Sequence, residues 1–360
     1  MTTGNHPRRG LNPDATIARE GALARVPGAF QPVVAAARAQ LATAFGGRRM
    51  HSAYLYGSIP RGTAIPGTSD LDLLVALNDE PAPADRNLAD GVERGLDGAF
   101  AVINGAGLLL YSAATLLSEL ERHDLGFFVA CLCTPLIGPD LGGQLPRYRP
   151  TSLLARETNG DLALVIPRWR SRLAESGTAQ QREQLCRGVA RRLVRTGFTL
   201  VMPRWGGWTS DLAESAEAFA AYYPQRGGQM RAAARLGRVP AAAPGQLEEM
   251  INDLAVWLVA EYTKVHGTKA PREAGLPPTQ AQGYVLEDRL DGMGVVVDAE
   301  LIGDGEQEGV GGGDRLVLLE LGDEGVGLGG VAAAEDRLQP GPGYGVAVPG
   351  TGLPARHSVR

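Results

Sequence analysis

Cysteine is scarce in this chain: three residues, Cys131, Cys133 and Cys186, among 360. An odd number at that density does not make a disulfide framework. No second Cys/His pair has the spacing to complete a metal site with Cys131 and Cys133, so small buried thiols are the expectation. Long apolar runs are missing as well. None approaches the roughly 20 residues that cross a bilayer, and residues 1–10 carry no apolar segment after their arginines, which excludes a secretory signal there. The cytoplasm is the expected compartment. Basic excess is the third absence. The formal net charge is −5 and the pI about 5.7. Without a basic stripe, neither argues for a nucleic-acid partner.

What charge there is lies unevenly. Residues 281–360 hold 14 Asp/Glu against 5 Lys/Arg, a balance of −9, which leaves 30 Lys/Arg against 26 Asp/Glu, or +4, in residues 1–280. A mildly basic body suits a protein that handles an anionic small molecule. In the last 80 residues glycine fills roughly a quarter of positions, several times average usage. Neither helical nor strand periodicity is sustained there, and the expectation for 281–360 is a disordered acidic tail.

The length allows two domains. Residues 1–28, rich in Gly, Pro, Arg and Ala, read as a flexible arm. Phe30, Val33, Val34, Ala37, Leu41 and Phe45 recur at helical spacing. Strands are expected at 53–56 and 70–77, followed by a crossover helix over 85–96. Two more strands, 100–103 and 108–112, are separated by Asn104-Gly105, a hairpin turn signal. Residues 113–123 read as a helix with Leu116, Leu117 and Leu120 inward. After Pro150 the pattern is helical only, at 151–177, 179–202, 210–223, 228–237 and 245–266. Strands mixed with helices, then helices alone, predict an α/β (α+β) domain with a mixed sheet over 29–145, then an all-α bundle over 146–270.

Residues 54–75 carry the chemistry. An apolar run breaks at Gly57-Ser58, Arg61 follows, and a second apolar run opens with Ser69-Asp70-Leu71-Asp72. Carboxylates two apart on a strand share a face, and adjacent like charges are costly unless a cation neutralises them. A Gly-Ser turn nearby offers N–H groups to phosphate oxygens. Together these residues predict a metal–nucleotide site.

The run Gly57-Ser58…Arg61-Gly62…Ser69-Asp70-Leu71-Asp72 resembles the signature of the polymerase beta-like nucleotidyltransferase superfamily. It is most similar to the small-molecule branch that includes aminoglycoside nucleotidyltransferases, and to the minimal nucleotidyltransferases of toxin–antitoxin pairs. The resemblance implies a nucleotidyltransferase fold and the transfer of a nucleoside monophosphate from an NTP, ATP first, to a hydroxyl of a small acceptor. Asp70 and Asp72 would hold two Mg²⁺ ions, while Gly57, Ser58, Arg61 and Ser69 would bind the nucleotide. The family's third carboxylate is expected on the strand at 107–112, where this chain has Gly107. The nearby acids are Asp97, Glu119, Glu121 and, from the helical domain, Glu157, the candidate base. A missing acid opens a second reading: a weak or inactive nucleotide-binding module, antitoxin-like, acting through a protein partner or as a homodimer.

Two further sets have alternatives. Arg187, Arg191 and Arg195 fall on one helical face, either solvated or steering an anionic ligand. Trp205 and Trp208 either plug the helices or stack on a base or sugar.

Overall fold

The computed structural model describes residues 9–271, apart from residue 242. In chain order, helix α1 (Gln31–Ala44) leads into strand β1 (Met50–Tyr56), the single turn α2 (Ser58–Arg61) and strand β2 (Leu71–Leu77). Helix α3 (Pro83–Ala99) crosses over to strand β3 (Ala106–Ser112), and short helices α4 (Ala113–Leu117) and α5 (Leu125–Phe127) precede strand β4 (Thr134–Ile137). The sheet order is β3-β2-β1-β4. β1 runs antiparallel to β2 and β4, whereas β2 and β3 are parallel. The sheet is mixed, as expected.

Strand alternation divides the sheet into two faces. Leu55, Leu71, Leu73, Val75, Leu108 and Leu110 pack with α1 and α3 residues such as Val33, Leu41, Val92 and Leu96. The opposite face carries Tyr54, Tyr56, Leu74, Leu109 and Tyr111 under Leu116, Phe128 and Leu141. All seven residues of β2 are buried, as befits a strand with neighbours on both edges. Burying one such leucine contributes about 1.5–3 kcal/mol, so β2 is firmly held in the domain.

The second half is helical: α6 (Ser152–Asn159), α7 (Leu162–Glu175), α8 (Ala179–Trp205), α9 (Leu212–Tyr222), α10 (Pro224–Leu236), α11 (Pro244–Glu249) and α12 (Ala255–His266). The expected helix over 151–177 is two helices, separated at Gly160-Asp161. α8 starts from a reciprocal cap in which Thr178 and Gln181 each accept the other's backbone N–H, a pattern that satisfies two orphan donors. Thirteen of its residues are buried, and the other helices pack around it. Among the described residues no helix is long and apolar enough to cross a membrane.

Three expectations fail, each for a tertiary reason. Residues 9–28 form a strap instead of a loose arm. The N–H of Ile17 bonds the Tyr148 carbonyl at 2.7 Å, that of Glu20 the Cys131 carbonyl at 2.9 Å, and that of Ala22 the Pro60 carbonyl at 3.0 Å. Arg19 forks onto Asp140 at 2.7 and 3.1 Å, and Ile17 is buried in the helical core. Polar composition concealed these anchors. Residues 100–103 form a turn and no strand, because β2 and β3 are joined by the α3 crossover and need no hairpin. Finally, the helix expected over 113–123 ends at Leu117, and Leu120 is exposed. The tail at 281–360 lies outside the described residues.

The chain after α12 returns to the sheet domain through charge. The ammonium of Lys269 lies 2.5 Å from Asp124 and 3.3 Å from Asp161, and Arg192 pairs with Asp161. Burial works against the charge of Lys269, but Asp124 and Asp161 outweigh it and hold its pKa above the ordinary lysine value. Burial likewise opposes ionisation of Asp161, yet Arg192 and Lys269 hold its carboxyl below the usual range. Removing Lys269 would leave Asp161 with Arg192 but would take the lysine from Asp124, and breaking a buried pair is destabilising. Lys269→Ala should therefore destabilise the protein by about 3 kcal/mol near neutral pH, measured by denaturant melts. Because the folded pKa of Asp161 is depressed, its pairing is present above the ordinary carboxylate pKa and fades as pH falls through the folded value. The difference between variant and parent should shrink correspondingly in acid.

Candidate active site

At the end of β1 the backbone of Gly57 adopts φ +80°, a conformation that side chains with a Cβ avoid. Space forbids a side chain as well, since a Cβ at Gly57 would stand 2.1 Å from Oδ2 of Asp72. Glycine is required because the turn is pressed against a carboxylate. α2 follows with Ser58 first and Arg61 last, and the chain then folds back through residues 63–69. Ser69 builds that return: its hydroxyl accepts the Ile65 N–H at 2.9 Å, and its own N–H bonds the Ile65 carbonyl at 3.0 Å.

β2 then runs beside β1 with Asp72 opposite Tyr56. Asp70 stands one residue ahead of the strand. Its Oδ1 accepts the side-chain N–H of Asn104 at 2.9 Å, and the Leu71 N–H bonds the Gly105 carbonyl at 2.8 Å. Asn104-Gly105, expected as a hairpin turn, thus orients one of the aspartates. Asn104 is a residue that sequence reasoning missed, because its role arises only once the 100–105 turn lies against residues 69–71.

Asp72 is 9% exposed. Burial is the main force lifting its pKa well above the usual carboxylate range, and the charge of Asp70 adds to it. Arg191, Arg61 and Arg195 pull the other way. Two of those three arginines come from α8, so the face of that helix bearing Arg191 and Arg195 lies within electrostatic reach of the aspartates. Arg191 also donates its Nε–H to the Gly237 carbonyl at 2.9 Å, so this face is not purely solvated.

In the parallel ladder Asp72 pairs with Gly107, so both lie on the same face. Gly107, where a third carboxylate was expected, thus stands beside Asp72 and holds no side chain. A Cβ added at Gly107 would meet nothing within 4 Å. Of the other acids, Asp97 stands closest to the pair: burial raises its pKa and the charge of Asp70 adds to the rise. Asp97 caps the start of β3 by accepting the Ala106 N–H at 2.7 Å, and Glu119 pairs with Arg122 on the surface. Glu157 is buried but engaged by Arg156 at 2.9 Å and by the Ala270 N–H at 3.3 Å. It is not among the principal charges acting on Asp72. Among the described residues no group of three or more His, Cys, Asp or Glu side chains is placed to hold a metal ion. All three cysteines are free and buried.

Two carboxylates alone still suit one kind of cation. Mg²⁺ keeps much of its hydration and is commonly held by one or two carboxylates together with substrate phosphates. Asp70 and Asp72 match that donor set, and among the described residues there is no all-protein cage. The tryptophans serve packing: Trp205 and Trp208 meet Phe198 edge-on at 5.4 and 5.8 Å, and Trp208 meets Phe127 at 4.8 Å.

The turn and both aspartates lie in the part of the chain that comparison with known proteins recognises. Residues 41–102 match the family model described as a nucleotidyltransferase domain. The matched segment contains Gly57, Ser58, Arg61, Ser69, Asp70 and Asp72, and stops short of Gly107 and of every helix after α3. It is consistent with the polymerase beta-like superfamily. No curated protein matches the chain.

Two substitutions test this geometry. Gly57→Ala should cost about 1 kcal/mol or more in stability, from positive φ and the clash with Asp72, and should abolish Mg²⁺-nucleotide binding in calorimetry. Gly107→Asp should be tolerated sterically and should tighten Mg²⁺-dependent nucleotide binding about tenfold, while lowering the melting temperature when metal is withheld, because a third like charge joins the pair.

Proposed function

We propose that the protein is a Mg²⁺-dependent nucleotidyltransferase that moves a nucleoside monophosphate from an NTP, ATP first, to a hydroxyl of a small acceptor. An aminoglycoside-like polyol is the acceptor class favoured by the motif. The observation that carries the reading is the burial of Asp72 against Gly57 with Asp70 beside it and three arginines in range. Such a site is unfavourable when empty and becomes favourable when a cation and a polyanion enter together.

Asp70 and Asp72 would hold the cation, up to two ions, with Asn104 fixing the orientation of Asp70. Gly57 brings the backbone close, and Ser58 presents its hydroxyl and N–H to the phosphates. Arg61, Arg191 and Arg195 balance the phosphate charge. When bound, Mg²⁺ supplies charge neutralisation and alignment for in-line displacement of pyrophosphate. Glu157 has the weakest support of the expected residues, since Arg156 and Ala270 already engage it. A cytoplasmic setting with small-molecule partners and no nucleic acid suits this chemistry.

A second reading rests on Gly107. With the third acid absent, the protein would bind nucleotide weakly, turn over slowly or not at all, and act through a protein partner or as a homodimer.

Incubation with Mg²⁺, labelled ATP and a panel of aminoglycosides and other polyols separates the two. The first reading expects transfer to at least one acceptor, with a loss of at least about 100-fold in Asp70→Asn and Asp72→Asn. Transfer undiminished in Glu157→Gln removes that residue as base. MgATP binding without transfer supports the second reading, and absence of both overturns the nucleotide site. Asp72→Asn carries a further expectation. A carboxyl whose folded pKa is raised costs stability that is absent below the unfolded pKa and grows as pH rises above it. Without metal, Asp72→Asn should therefore melt higher than the parent at pH 7, by about 1 kcal/mol or more, and equally near pH 3.

A further inference from the structure

Arg61 is held from outside the segment that matches the nucleotidyltransferase family. One of its terminal nitrogens lies 3.6 Å from Oε2 of Glu20, in the strap. The other carboxylate oxygen of Glu20, Oε1, accepts the indole N–H of Trp208 at 2.9 Å. Trp208 follows α8 and packs on Phe127 and Phe198. One carboxylate thus joins the turn after β1 to the far end of the long helix.

The anchoring is dense for a segment of so few residues. Glu20 is fixed through its own N–H to the Cys131 carbonyl, and Ala22 through its N–H to the Pro60 carbonyl, one residue before Arg61. Between them, a Cβ at Gly21 would meet Thr134 Oγ1 at 2.3 Å and Pro60 at 3.0 Å. Arg25 returns to bond the Glu20 carbonyl at 2.7 Å, and its own carbonyl lies where a Cβ at Gly62 would come within 3.0 Å. The strap and the turn therefore share one rigid unit, and the Glu20 side chain is only 15% exposed.

Within that unit, Arg61 is incompletely used. Its Nε is buried and has no hydrogen-bond partner among the described residues. A buried donor left without an acceptor costs about 1–3 kcal/mol, and a guanidinium carries five N–H donors in a fixed fork. One contact at 3.6 Å from Glu20 sets the direction of that fork and leaves most of its donors for an anion.

We propose that Glu20 is a positioning residue for nucleotide binding: it aims Arg61 toward the phosphates of the bound NTP. The inference rests on the nucleotide reading above. Glu20 touches no reacting atom, so its effect is expected in affinity for the nucleotide more than in the rate at saturation.

The test uses the full chain with Glu20→Gln, Arg61→Ala and the double variant, with equilibrium binding of MgATP and thermal melts for each. Glu20→Gln keeps an acceptor for the Trp208 indole but removes the charge that orients Arg61. It should weaken MgATP binding about tenfold and leave the melting temperature nearly unchanged. Arg61→Ala should weaken binding at least as much, and the double variant should be no weaker than Arg61→Ala alone, because Glu20 acts only through that arginine. Wild-type affinity in Glu20→Gln together with weakened Arg61→Ala overturns this inference and leaves the nucleotide reading standing. Wild-type affinity in Arg61→Ala removes the phosphate role of Arg61 itself, and with it the basis for any positioning by Glu20. Should Glu20→Gln melt markedly lower, Trp208→Phe supplies the control. It keeps the ring contacts and the Glu20–Arg61 pair, so near-parental MgATP affinity supports the positioning role, and a loss equal to that of Glu20→Gln assigns Glu20 to structure and overturns it.

Discussion

The buried carboxyl of Asp72, enclosed between a backbone turn and a central strand, is the constraint on which the rest of the site depends. An isolated buried charge is too costly to survive without compensation. Every neighbouring feature bears on that cost. Gly57 removes the side chain that would occupy the same space, while Arg61, Arg191 and Arg195 lower the cost without pairing directly. Asp70 adds to it. The balance makes a site that is poor at being empty, which is the physical condition for drawing in a cation and its polyphosphate together.

The same constraint ties the two halves of the protein. Arginines of α8 act on an aspartate of β2, and the strap joins the turn after β1 to the residues that end α8. The core is continuous across the junction, with Ile17, Phe127, Cys131 and Tyr148 packed among helical residues such as Phe198 and Trp208. Lys269 adds a further tie by pairing with both Asp124 and Asp161.

Gly107 marks the departure from the expected metal chemistry. It sits in register with Asp72 with room for a side chain, so the absence of an acid there is a property of the residue and not of crowding. A donor set of two carboxylates relies on the nucleotide's own oxygens to complete coordination. Metal and nucleotide would then bind as a unit, each weakly alone.

Short-range pattern made part of this legible in the chain. The spacing of Asp70 and Asp72 marked the start of β2, the Gly-Ser break located the turn, and helical spacing located α1 and the crossover α3. These depend on neighbours a few residues apart, and a sequence displays them directly. The remainder depended on residues far apart in the chain. Asn104-Gly105 carries the local chemistry of a hairpin, but the parallel pairing of β2 with β3 turned it into a brace for Asp70. Residues 9–28 have the composition of a loose arm, and only the grooves supplied by Pro60, Cys131 and Tyr148 make them a strap. Glu20 had no motif to announce it, because its partners Arg61 and Trp208 lie 41 and 188 positions away. By itself the sequence determined the acids, the turn and the missing third carboxylate. Tertiary structure decided which charges surround them, because electrostatic fields act through space and take no account of separation along the chain.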